Sequence, residues 1–295
     1  MPSVDSLPDL LRAALPAALG TPVRSLELAS VGGGSINRAF RLLVNGRDRL
    51  FCKANDAARF PALFDKERKG LAALAACDTL RIPRVILCEV IDNQQVLVLE
   101  WIDQGLKTSA FWQRFGQQLA ALHRHTQPAF GWREDNYMGA LPQWNSPAVS
   151  WTDFLAQRRL SPQVQLAYDK GLLGVGHILQ FEALYRRLPE LFAPVPPALL
   201  HGDLWSGNFL CDDRGRPVLI DPAVYYGHPA MDLAMTTLFG GFDPAFYEAY
   251  FYYAPQPAHY RLQWDTCNLY PLLIHLNLFG KGYLGDIEAI LRPYG

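Results

Sequence analysis

Asp203, Asn208 and Asp221 have the residue types and the spacing that transfer of a phosphoryl group from ATP requires. The run His201-Gly202-Asp203-Leu204-Trp205-Ser206-Gly207-Asn208 places an amide five positions after a carboxylate. Ile220-Asp221-Pro222 then places a second carboxylate eighteen positions after the first. A hydroxyl attacking a γ-phosphate loses its proton late, so a modestly basic carboxylate within hydrogen-bond reach suffices. The polyphosphate would repel that carboxylate. Magnesium held by Asp221 and by the carbonyl oxygen of Asn208 would offset the repulsion, using the hard oxygen ligands this ion prefers. Gly, Asp, Ser and Asn are also ordinary turn residues. Against a bare surface turn, Leu199-Leu200 and Val218-Leu219-Ile220 read as short buried strands leading into both acidic positions.

These side chains need elements to hold them. The pattern opens with a helix over Leu7–Leu19 stopped by Gly20, followed by strands at 24–31, 39–44 and 50–54. Asn45-Gly46 between the last two is a strong hairpin signal. A helix at 63–77 and strands at 84–90 and 94–101, joined at Asp92-Asn93, complete a strand-rich part. From Ser109 the periodicity is mostly helical, at 109–125, 151–157, 175–188, 230–239, 244–252 and 261–283. The expected fold is therefore α+β and bilobal. Residues 1–101 form a nucleotide-binding lobe, and residues 102–295 a larger, mainly helical catalytic and substrate-binding lobe. The junction Ile102-Asp103-Gln104-Gly105 makes a cleft of the kind small ligands occupy.

The first lobe supplies partners for the acidic residues. Gly32, Gly33, Gly34 and Ser35 sit at the turn between the first two strands, where unobstructed backbone N–H groups could approach phosphates. The match to G-x-G-x-x-G is partial, and a plain hairpin turn fits equally well. Lys53 lies in an otherwise apolar strand, where a charge is costly unless paired. Glu67 on the following helix is its best partner, the bland alternative being a solvated edge lysine beside a charge-rich helix.

Composition sets bounds. Of 295 residues, 50% are apolar and 19% charged, and the net charge of −1 favours neither a nucleic-acid surface nor a polybasic membrane anchor. No apolar run approaches the ~20 residues a bilayer span needs, and the N-terminus lacks a secretory pattern. The five scattered cysteines form no C-x-x-C pair, which points to free thiols in a reducing cytoplasm.

The motifs together resemble the fructosamine kinase (ketosamine 3-kinase) family, within the aminoglycoside and choline phosphotransferase branch of the protein-kinase-like fold. The resemblance rests on HGDLWSGN at 201–208, DPAVYYGH at 221–228, DLAM at 232–235, the Gly131-Trp132 and Asp135-Asn136-Tyr137-Met138-Gly139 segment, and Leu278-Phe279-Gly280 with Gly282-Tyr283. It implies transfer of the ATP γ-phosphate to the 3-hydroxyl of a sugar ketoamine, free or on a glycated lysine. The unstable 3-phosphate then eliminates, in the service of deglycation. Carried over by position, Asp203 would be the base, Asn208 and Asp221 the magnesium ligands, and Lys53 the α/β-phosphate ligand oriented by Glu67. Glu100, Trp101 and Ile102 would form the adenine hinge, and Asp232 would accept hydrogen bonds from the catalytic-loop backbone. Trp205 could stack on the sugar or pack in the core. Asn136 and His275 could donate to sugar hydroxyls. The chain could act as a monomer or a homodimer.

Departures from the protein-kinase pattern narrow the acceptor. His201-Gly202-Asp203 lacks the arginine of H-R-D, Asp221-Pro222-Ala223 replaces D-F-G, and no A-P-E segment follows. A protein hydroxyl is therefore not the expected acceptor. An aminoglycoside pocket would need late acidic residues to meet a polycation, and only Asp286 and Glu288 follow Asp265. A nucleotide-binding pseudokinase acting as an interaction module would have lost one of Lys53, Asp203, Asn208 or Asp221, and all four are present.

Overall fold

Leucines at i, i+4 and i+8 give the first helix, α1 (Leu7–Leu19), an apolar stripe in which Leu7, Leu11 and Leu15 are all buried. The computed structural model describes residues 7–32, 36–91 and 93–295. Strands β1 (Leu26–Ser30), β2 (Arg38–Val44) and β3 (Asp48–Asp56) precede helix α2 (Leu63–Ala75), and β4 (Val85–Ile91) and β5 (Gln94–Glu100) follow it. All pair antiparallel in the order β1-β2-β3-β5-β4. The twofold period of a strand sorts the side chains of β3: Leu50, Cys52 and Ala54 pack with α1, whereas Phe51 packs with Phe64 and Leu71 of α2. Lys53 shares the face of Phe51 and so is aimed at α2.

Asn45 and Gly46 turn the β2–β3 hairpin with φ of 54° and 69°, the positive pair that Asn-Gly adopts readily. Asn45 also explains why β1 begins at Leu26 and not at Arg24. Its Oδ1 accepts from the backbone N–H groups of Arg24 (2.7 Å) and Ser25 (3.3 Å), anchoring them to the turn ahead of the strand.

The remainder is largely helical and contains the main core. Helix α3 (Ser109–Leu122) starts at Thr108, whose side chain accepts from Phe111 N. A small hairpin, β6 (Asn136–Met138) and β7 (Leu141–Gln143), follows. The helix expected at 151–157 instead runs on: α4 (Trp151–Phe154) continues through a π-helical turn, Leu155–Leu160, into α5 (Ser161–Asp169). After α6 (Val175–Leu191) come four three-residue strands, β8 (Ala198–Leu200), β9 (Phe209–Cys211), β10 (Pro217–Leu219) and β11 (Tyr225–Gly227). They pair as β8–β11 and β9–β10, which brings the segment after β8 beside the segment between β10 and β11. Helices α7 (Ala230–Leu238), α8 (Pro244–Tyr253), α9 (Tyr260–Phe279) and α10 (Leu284–Leu291) close the fold. The helix expected to reach Tyr283 ends at Phe279 because Gly280 takes φ 90°. Among the described residues no helix is long and apolar enough to cross a membrane. The α+β class expected from the sequence is the one that forms.

Candidate active site

Lys53 joins three elements. From β3 its Nζ lies 2.7 Å from Glu67 Oε1 on α2 and 2.6 Å from Asp221 Oδ1 between β10 and β11. Glu67 reaches this point because it lies on the same face of α2 as buried Phe64 and Leu71, three and four residues away. Burial disfavours the Lys53 charge, but the two carboxylates outweigh it and hold the ammonium above its ordinary range. For Glu67, burial pushes the carboxyl upward, with Lys53 opposing.

His201, Gly202 and Asp203 form a loop tied at both ends. Asp232, buried on α7, accepts from His201 N through Oδ2 (2.7 Å) and from Gly202 N through Oδ1 (2.9 Å), and its Oδ2 also meets His123 Nε2 (3.2 Å). The ring of His201 accepts from Asp203 N at Nδ1 (3.2 Å) and donates from Nε2 to Ile220 O (2.9 Å). Those partners fix the tautomer and bind the Asp203 loop to the residue before Asp221. Asp221 itself has φ 56°, an uncommon conformation for a side-chain-bearing residue and one that recurs at functional sites.

Asn208 Nδ2 donates to Asp203 O (2.8 Å) and to Asp203 Oδ2 (2.9 Å). The Asp203 carboxyl is pushed up to about 7, chiefly by burial and further by the charges of Asp221 and Asp232, with the Asn208 amide opposing. Turning Nδ2 toward Asp203 leaves Asn208 Oδ1 for another partner. Among the described residues, neither that oxygen nor Asp221 Oδ2 accepts a hydrogen bond. Two hard oxygens facing one cleft, beside a carboxylate, fit a divalent cation.

The cleft has a volume of ≈ 440 Å³, and its wall includes Lys53, Glu67, Asp203, Asn208 and Asp221. Trp205, Asn136 and His275 line it as well. Trp205 meets Phe239 edge-on, with ring centroids 5.6 Å apart. His275 is not the free donor expected from sequence, and Asn136 is committed through its oxygen and through one N–H of its amide. Asn136 Nδ2 donates to Val224 O (2.9 Å), and its Oδ1 accepts from Gln143 and Asn145 (both 2.8 Å). His275 donates from Nδ1 to Pro271 O (2.7 Å), and burial lowers its pKa, so Nε2 is an acceptor. Glu100, Trp101 and Ile102 stand at and beyond the end of β5, outside the wall of this cavity, with Glu100 paired to Arg81 (3.3 Å). Gly32 is exposed, with no neighbour among the described residues where a Cβ would sit. Gly33, Gly34 and Ser35 lie outside the described residues.

Sequence reasoning assigned no role to His201 or Gly202, although both lie inside the motif it singled out. A Cβ on Gly202 would sit 2.1 Å from Ala223 O, so this position must be glycine for the two segments to touch. It also missed Lys66, a cleft residue whose ammonium donates to Asp135 O.

Similarity to known proteins agrees with this geometry. The sequence profile of the fructosamine kinase family matches residues 9–294. A protein of Synechocystis named "Probable ketoamine kinase" is 42% identical over 276 residues, covering 92% of each chain. The chloroplastic protein-ribulosamine 3-kinase of Arabidopsis thaliana is 35% identical, covering 93% of this chain and 84% of its own. A crystal structure from Thermobifida fusca bearing the name fructosamine-3-kinase superposes with a TM-score of 0.87 at 34% identity, covering 98% of both chains. A choline kinase of Streptococcus pneumoniae, at 16% identity, a TM-score of 0.62 and coverage of 98% and 99%, shares the fold alone.

Proposed function

Because the chain belongs to the fructosamine kinase family, we propose that it transfers the γ-phosphate of ATP to the 3-hydroxyl of a sugar ketoamine. The observation that carries the reading is the contact of Lys53 with both Glu67 and Asp221, set beside an Asp203 already gripped by Asn208. Lys53, held charged, meets the α/β-phosphates. The substrate's 3-oxygen forms a bond to the γ-phosphorus while the bond to the β,γ-bridging oxygen breaks, ADP leaves, and the hydroxyl proton passes to Asp203. A carboxyl near 7 suits this task, since it is ionised for part of the population at neutral pH and can still hold the proton it receives. Asn208 Oδ1 and Asp221 Oδ2 would hold magnesium, which neutralises phosphate charge.

Residues 1–101 would then grip nucleotide, with Glu100, Trp101 and Ile102 as hinge and 32–35 near the phosphates, while residues 102–295 supply base, metal ligands and acceptor wall. The acceptor is a ribulosyl or fructosyl amine, including glycated lysine. Trp205 would stack on its sugar and His275 Nε2 would accept from a hydroxyl. The five unpaired cysteines suit a reducing cytoplasm.

The test is ADP release with magnesium-ATP across ribulosyl-lysine, fructosyl-lysine, free sugars, choline and kanamycin. Turnover is expected with the ketoamines alone, and Asp203→Ala should lower it by about 10²–10⁴. Turnover of kanamycin without turnover of ketoamines would refute the acceptor assignment, and an active Asp203→Ala would refute the mechanism.

A further inference from the structure

Arg159 is fully buried in the π-helical turn Leu155–Leu160, yet no carboxylate pairs with it among the described residues. An isolated cation at such depth is costly, and π-helical turns recur where a site needs a side chain re-aimed. Its guanidinium carbon lies 3.9 Å from the ring centroid of Tyr225, 4.5 Å from Phe154 and 5.4 Å from Tyr270, so aromatic faces take the place of a counter-ion. Its Nη1 donates to Trp144 O and its Nη2 to Asn145 Oδ1 (2.8 Å). Nε has no partner. Nothing in the phosphoryl-transfer chemistry accounts for this group.

What Arg159 can do follows from its having donors and no acceptors. By donating to Asn145 Oδ1 it joins Glu134 O, which accepts from Nδ2 of that amide (3.1 Å), in turning Nδ2 the other way, onto Asn136 Oδ1 (2.8 Å). That contact in turn fixes Asn136 Nδ2 onto Val224 O (2.9 Å). Gln143 runs alongside, its Nε2 donating to Asn136 Oδ1 (2.8 Å) and Ala223 O (3.0 Å). The hydroxyl of Tyr270 donates to Gln143 Oε1 (3.1 Å), but a hydroxyl can also accept, so it sets no direction by itself. The chain ends on the carbonyls two and three residues beyond Asp221. Ala223 also donates its N–H to His201 O (2.9 Å), and its carbonyl is the atom pressed against Gly202.

We propose that Arg159 is a positioning residue: as the donor-only end of the relay Arg159–Asn145–Asn136, it orients both amides and thereby holds the 221–224 segment against the Asp203 loop. Its catalytic consequence rests on the reading of Asp221 as a metal ligand; its structural consequence does not. Without Arg159 the Asn145 amide loses the donor that holds its Oδ1, so its Nδ2 is no longer held on Asn136 Oδ1 and the bond from Asn136 to Val224 O loses that support.

Three variants test this. Arg159→Met keeps length and apolar packing but removes the donors. Arg159→Lys keeps a donor-only head. Asn145→Asp gives Arg159 a counter-charge, and so retains the fold, but cannot donate to Asn136 or to Glu134 O. In the absence of nucleotide and metal, amide hydrogen exchange across 219–227 should quicken about tenfold or more in Arg159→Met and Asn145→Asp, the scale of one lost buried hydrogen bond, and Arg159→Lys should recover much of the protection. The magnesium concentration for half-maximal turnover should rise about tenfold in the same two variants and kcat should fall, while the ketoamine KM stays within about twofold. Unchanged exchange in Asn145→Asp, or Arg159→Lys no better than Arg159→Met, would overturn the proposal. Quickened exchange with unaltered magnesium dependence would overturn the metal assignment of Asp221 on which its catalytic part rests.

Discussion

A Cβ at Gly202 would stand 2.1 Å from Ala223 O, on a backbone with φ of +84° that L side chains rarely adopt. Both objections act on the loop that carries Asp203, so Gly202→Ala should lower stability by more than about 2 kcal/mol in denaturant melts. It should also remove most activity from whatever folds. Asp203 makes a separate prediction through its raised carboxyl. Its pKa of about 7 in the folded chain exceeds its ordinary value of 3.8, so the folded state retains a proton that the unfolded state has lost. The ionised group therefore destabilises the fold fully above about pH 7 and not at all below about pH 4. In metal-free buffer Asp203→Asn should melt above the wild-type protein at pH 8 and match it at pH 4. The opposite ordering would show that the carboxylate is stabilised by contacts absent from this geometry.

The elements show what sequence makes legible. The alternation Leu50-Phe51-Cys52-Lys53-Ala54 identified a strand and left Lys53 needing a partner, and β3 with α2 supplies Glu67. Strands β6 and β9, by contrast, are three residues long, too short for a period to register. The commitment of Asn136 was equally illegible, because its amide is satisfied by Val224, 88 positions away, and by Gln143 and Asn145 only after the chain turns back. Asp212, at the β9–β10 hairpin, is a similar case. Its fully buried carboxylate accepts from Arg81 Nη1 (2.6 Å), Arg216 Nε (2.8 Å) and the backbone N–H groups of Arg214 (3.0 Å) and Arg216 (2.8 Å). Burial opposes ionisation there, but these donors overcome it and hold the carboxyl down at about 2. With the folded value below the ordinary 3.8, this contribution is complete above about pH 4 and is lost as pH falls through about 2. Asp212→Asn should therefore cost on the order of 2 kcal/mol at pH 7, between the values for exposed and buried ion pairs. The gap to wild type should close on acidification from pH 4 to pH 2, and a gap independent of pH would assign it to packing.

Across the whole molecule, the Lys53–Asp221 contact links residues 168 positions apart, from the five-stranded sheet to the helical part. Arg81–Asp212 is a second such tie, 131 positions in span. Nucleotide bound where Lys53 and Asp221 meet would act on the contact between the two parts as well as on its own site, so binding should register as stability of the entire chain. At a magnesium-ATP concentration of about 100 Kd the linkage amounts to about 2.7 kcal/mol, or a Tm rise of roughly 4 °C for a chain of this size. Lys53→Met leaves Glu67 and Asp221 facing each other without the ammonium that joins them. If that weakens nucleotide binding about 100-fold, the stabilisation at the same concentration falls to about 0.4 kcal/mol and the shift to about 1 °C. Thermal melts of both proteins with magnesium-ATP, and with ATP plus chelator, make the comparison. An undiminished shift in Lys53→Met would mean that nucleotide binds elsewhere and that the lysine only bridges the sheet to the helical part.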